Sequence, residues 1–62
     1  MGKHVTVWLR DGDTETYENV NVIEDRQFQH VTAIRLYDSE TGALRAKFDY
    51  GLISRIKVED SN

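Results

Sequence analysis

Apolar and polar side chains alternate with a period of two along most of the chain, the spacing of strands with one face buried and one wet. In the first run Val5, Val7 and Leu9 share one face while His4, Thr6, Trp8 and Arg10 share the other. Asp11-Gly12 follows as a tight-turn dipeptide, because glycine takes a positive φ without steric cost and Asp tolerates it. The second run, about Thr14 to Glu24, changes phase: Tyr17 is odd, Val20 and Val22 even. Holding all three in one core requires an inserted residue, most simply a bulge near Glu18-Asn19.

The polar stretch Glu24-Asp25-Arg26-Gln27 predicts the next reversal, with Phe28 tucked under the end of the fold. From Gln29 to Tyr37 the pattern sets Thr32, Ile34 and Leu36 inward and Val31, Ala33, Arg35 and Tyr37 outward. Asp38 to Gly42 closes that hairpin. In the fourth run Leu44, Ala46, Phe48 and Tyr50 point in while Arg45, Lys47 and Asp49 point out. Gly51 turns a sharp corner, after which Ile53 or Leu52, Ile56 and Val58 face inward and Arg55 and Lys57 outward. The tail Glu59-Asp60-Ser61-Asn62 is expected to fray. No window of about eleven residues carries the i, i+3, i+4, i+7 apolar spacing of a helix, so the chain reads as all-β.

Five short strands must curl to cover one apolar face, which predicts a five-stranded antiparallel meander bent into a small barrel. The domain is 1–62, with an ordered core of about 3–58. The order of features resembles the SH3-like and Sm-like barrels: a first strand ending in Asp11-Gly12, a long bent second strand, a hairpin at Ser39 to Ala43, and the corner Tyr50-Gly51-Leu52-Ile53 leading into Arg55-Ile56-Lys57-Val58. It is also similar to short accessory proteins of bacteriophages and prokaryotic mobile elements. At the place of the Arg-Gly pair of RNA-binding Sm proteins this chain has Tyr50-Gly51, and the aromatic groove of peptide-binding SH3 domains is not recognisable.

Size and composition narrow the functional classes. A 62-residue domain buries only roughly 60% of the surface its unfolded chain exposes, so a partner subunit is a natural supplement. Cysteine is absent, which removes disulfides and thiolate metal sites and fits the cytoplasm. Hydrophobic residues make up 39% and the net charge is −3, a globular composition that selects no polyanionic partner. No apolar run is long enough to span a bilayer. Met1-Gly2 with Thr6 matches the short N-myristoylation pattern, but Thr6 falls in a strand and no membrane partner is expected.

Chemistry finds few candidates. Only His4 and His30 titrate near neutrality, on different strands and with no third ligand nominated, so no catalytic residue, metal or cofactor is assigned. Charge placement says more. Arg45, Lys47, Arg55 and Lys57, with Arg35 and Tyr37 beside them, read as one basic outer face interleaved with an aromatic, a footprint suited to an acidic protein or to nucleic acid. The plainer reading is a solvated face. Trp8, the only tryptophan, lies on the polar side of the first strand, where Val31 and Tyr37 are expected to complete a self-association patch. The sequence therefore points to a non-enzymatic protein-interaction module that forms a homo-oligomer. The alternative is a nucleic-acid-binding barrel using the basic face.

Overall fold

The structure, a computed structural model, describes residues 2–61. Its strands are β1 (Lys3–Leu9), β2 (Thr14–Gln27), β3 (His30–Asp38), β4 (Leu44–Asp49) and β5 (Ile53–Asp60), with a 3-10 turn at Tyr50–Leu52 between the last two. All five lie in one antiparallel sheet of order β4-β3-β2-β1-β5. The all-β expectation holds, but the meander is corrected: the 3-10 turn carries the chain across to the far edge, where β5 pairs with β1. No ladder joins β4 to β5, so the sheet is open, with those two strands as its edges. No helix among the described residues is long and apolar enough to cross a membrane.

The 14 residues of β2 serve two neighbours. Thr14–Tyr17 pair with β1 and Val20–Gln27 with β3, and the β1 register slips by one residue between Tyr17 and Val20. That is the bulge the phase change at Glu18-Asn19 requires. Asn19 takes the left-handed conformation, φ 58°, which Asn adopts more readily than most side chains. Its main-chain oxygen accepts from Ser39 N at 3.0 Å and its side-chain Oδ1 from Ser39 Oγ at 2.6 Å. Gly2 packs on the bulge so closely that a Cβ there would lie 2.6 Å from Asn19.

Around this bend Val5, Val7, Val20, Ile34 and Leu36 are fully buried, each contributing about 1.5–3 kcal/mol relative to exposure. Tyr17 meets Phe48 edge-on at 6.2 Å between ring centroids. Burial, with Glu15 accepting the phenol's hydrogen bond at 2.6 Å, pushes the Tyr17 hydroxyl up to about 12.

Several expected placements are corrected by register slips that alternation alone does not show. The β2–β3 ladder slips between Ala33 and Val31, leaving Thr32 as an unpaired residue of β3 that donates Oγ to Asp25 O at 3.2 Å. Val31 therefore returns to the inner face and packs against the core. The β3–β4 ladder slips between Ala46 and Leu44, which turns Leu44 outward beside Tyr37 and leaves it 55% exposed. β2 continues to Gln27, so the reversal is a two-residue turn at Phe28-Gln29. Phe28 sits at its tip with φ 57° and is 92% exposed, not tucked under the fold. Tyr50 lies in the 3-10 turn rather than inside. Nor does the tail fray through Asp60: Glu59 and Asp60 pair with His4 and Lys3, and Ser61 N donates to Gly2 O at 3.3 Å. Asn62 lies outside the described residues.

Candidate functional site

Three strands separate β4 from β5, and this distance across the sheet decides the fate of the basic face. Lys47 stands opposite Arg35 on the β3–β4 ladder, whereas Arg55 and Lys57 stand opposite Trp8 and Thr6 of β1. The expected continuous surface of Arg35, Tyr37, Arg45, Lys47, Arg55 and Lys57 is thus corrected to separate clusters, because β5 returns beside β1 and not beside β4. Arg45 joins neither. It occupies the slip in β4, and its guanidinium lies 5.9 Å from the Tyr17 ring and 3.5 Å from Asp38 Oδ2, with Nη1 donating to Glu18 O at 3.4 Å.

Arg35 is committed within the fold. Its Nη2 lies 2.5 Å from Asp25 Oδ1 and its Nη1 donates to Tyr37 Oη at 2.7 Å, and the hydrogen bond and charge of Asp25 raise its already high pKa. His4 is in contact with Glu18, while His30 closes the β2–β3 hairpin opposite Gln27. Among the described residues no three metal-ligating side chains gather.

Trp8 does face away from the core, as alternation requires, but it is half-buried. The Arg55 guanidinium lies 4.8 Å from its ring, a cross-strand cation–π contact. The three expected members of the self-association patch do not meet. Val31 is on the inner face, and Trp8 opposes Thr14 while Tyr37 opposes Asn21, separated by roughly 20 Å of bent strand at about 3.3 Å per residue.

A site that the sequence did not nominate lies where the β1–β2 turn meets the 3-10 turn. The β1–β2 turn is closed by Leu9 N donating to Asp13 O at 2.8 Å and Gly12 N to Leu9 O at 3.0 Å, with Asp11 Oδ1 accepting from Asp13 N at 2.9 Å. Gly12, at φ 101°, supplies the left-handed step. Arg10 then binds the 3-10 turn twice, its main-chain N donating to Leu52 O at 2.9 Å and its Nε to Gly51 O at 2.8 Å. Between the two turns is a cleft of about 320 Å³ with Leu9, Phe48 and Leu52 as its apolar lining and Arg10, Asp11, Lys47 and Asp49 around them. Leu52 is 59% exposed, and Lys47 makes no ion pair among the described residues.

Such a cleft can seat one large apolar side chain while a charged rim orients its neighbours. Its sequence signal is the redundancy at Leu52-Ile53, two adjacent apolar residues where alternation has room for one inward side chain. Ile53 takes the core place and Leu52 is left for the cleft. No protein-family model matches the chain, and neither a curated protein nor a solved structure matches it.

Proposed function

We propose that this chain is a non-catalytic, self-associating protein-interaction module of the cytoplasm, an accessory protein built on a small SH3-like barrel. Its docking seat is the cleft of Leu9, Phe48 and Leu52, and the occupant is a partner segment that presents a large apolar side chain next to an acidic one. The observation that carries the reading is the exposed Leu52, held by a turn that Arg10 fastens at two points, beside Lys47, which β4 presents with no ion pair among the described residues. Apolar anchors in a pocket supply most of the energy of such contacts, and rim charges supply orientation and rate. The barrel part of the reading is supported by β2, which bends to serve β1 and β3 in turn, and by the cleft, where the end of β4 comes within reach of the end of β1.

Selection from a displayed peptide library tests it. Enriched peptides should carry a Leu, Phe or Trp adjacent to Asp or Glu, and should perturb the amides of Leu9, Phe48 and Leu52. Leu52→Asp should abolish binding, and Lys47→Glu should weaken it. Peptides that bind equally well to Leu52→Asp overturn the assignment.

A second reading, nucleic-acid binding by a small barrel, is supported by the stacking of Arg55 on Trp8, with Lys57 next on the same face. A salt-sensitive gel shift that disappears in the variant Arg55→Glu/Lys57→Glu would favour it over the first.

A further inference from the structure

We infer that two copies of this chain pair β5 to β5 across a two-fold axis at Val58, extending the sheet through its open edge. The inference deepens the self-association in the reading above and replaces Trp8 as its seat.

Main-chain direction comes first. Leu9 exchanges both of its main-chain groups with the β2 side, donating to Asp13 O and accepting from Gly12 N, while Arg10 N donates to Leu52 O on the β5 side. Because these directions alternate along a strand, Trp8, Thr6 and His4 give their N–H and C=O groups to β5. Their ladder partners Arg55, Lys57 and Glu59 point back at β1. Ile56, Val58 and Asp60 therefore aim their N–H and C=O groups at the free edge, where β5 has no neighbouring strand. Such an edge is a template for another strand unless it is blocked. The other edge is blocked in part, since β4 is interrupted by the register slip at Arg45.

Register comes second. An antiparallel self-pair is defined by the residue on its axis. An axis at Ile56 sets Arg55 against Lys57 twice. At Lys57 it sets two ammonium groups face to face, and at Glu59 two carboxylates. With the axis at Val58, Lys57 of each copy opposes Glu59 of the other, and no outward like charges confront each other. Lys57 and Glu59 then form the non-hydrogen-bonded pairs, whose Cα atoms approach to about 4.5 Å and whose side chains interact best. Val58 meets its own copy in a hydrogen-bonded pair, which covers a valine that is 46% exposed in the single chain. Ile56 faces Asp60, whose charge is already paired with Lys3 Nζ at 2.5 Å. Within one chain Lys57 and Glu59 are neighbours on the same face, 3.6 Å apart, so each brings to the axis the charge that the other copy needs.

Sedimentation tests the register through charge. The wild-type chain should form dimers below about 300 μM, Lys57→Glu should weaken the dimer at least about tenfold, and Lys57→Glu/Glu59→Lys should restore it, because the exchanged charges again oppose. The chain has no cysteine, so Val58→Cys can be oxidised as the only thiol. It should yield a covalent dimer, since hydrogen-bonded pairs hold Cα atoms about 5.5 Å apart, within disulfide reach. Asp60→Cys, displaced from its own copy by four residues, should not. A wild-type monomer at that concentration, a dimer indifferent to Lys57→Glu, a double variant that stays monomeric, or equal cross-linking at both cysteines would each overturn the proposal. Leu52→Asp should leave the dimer intact, which separates this outcome from failure of the cleft.

Discussion

Replacing Asn19 isolates what the bulge contributes. In Asn19→Ala two things are lost: the hydrogen bond from Ser39 Oγ, worth about 1 kcal/mol, and a short polar side chain that tolerates φ 58° by local hydrogen bonding, whose replacement by a methyl group costs about 1 kcal/mol more. Asn19→Gly loses the hydrogen bond but takes the left-handed step freely, apart from its larger unfolded-state entropy. The expected destabilisations are therefore about 2 kcal/mol for Ala and about 1 for Gly, against a total of roughly 3–9 kcal/mol for a domain of this size. Urea unfolding followed by Trp8 fluorescence resolves the difference, and thermal midpoints should fall by about 4–8 °C per kcal/mol. Ser39→Ala is the control, since it removes the same hydrogen bond with no change of backbone demand and should match Asn19→Gly. If Gly is as damaging as Ala, the positive φ costs nothing measurable and the argument for the bulge as a conformational requirement is wrong.

Gly51→Ala should stabilise the fold by about 0.4–1 kcal/mol, because Gly51 lies in the 3-10 turn without a positive φ and a Cβ there would meet no atom within 4 Å; a drop in the urea midpoint would refute this. Phe28→Gly should raise or preserve stability, relieving a left-handed phenylalanine at about 1 kcal/mol, and a loss of several kcal/mol would show that the ring is core after all. For pH, the Asp38 carboxyl is lowered first by the backbone N–H of Thr41, then by that of Glu40, with Arg45 adding to it. A depressed folded-state pKa means its contribution is complete above the unfolded value near 4 and fades as pH falls through the lower folded value. Asp38→Asn should flatten the acid limb of the stability curve, and an unchanged limb would refute the assignment.

How much of this was legible follows from where the apolar pattern contradicts itself. Tyr17 against Val20 and Val22 is a visible conflict of phase, so the Glu18-Asn19 bulge is legible in the sequence itself. The slips at Thr32 and Arg45 leave no such trace, because Val31 and Ala33, like Leu44 and Ala46, are apolar on both sides of the slip. The position of β5 was hidden for another reason. Its alternation is the same whether it lies beside β4 or β1, and only a contact over the whole length of the chain decides between them. That one unreadable choice divided the basic face, and it also created the cleft by bringing Leu52 to Arg10.

Pairing the first strand with the last has a kinetic consequence. Val5 lies opposite Val58, so the ladder that completes the sheet closes all the residues between them into one loop and cannot form until β5 is available. Such non-local closure slows folding relative to hairpins of the same size. During that wait β1 is held by its β2 hairpin alone, with its other edge open to any passing strand. A circular permutant that joins Ser61 to Gly2, already bonded across the seam, and opens the chain at the exposed Phe28 tip makes the β1–β5 ladder local but sets β3 first and β2 last. The long-loop closure passes to the β2–β3 ladder, so the permutant should fold no faster than the natural order.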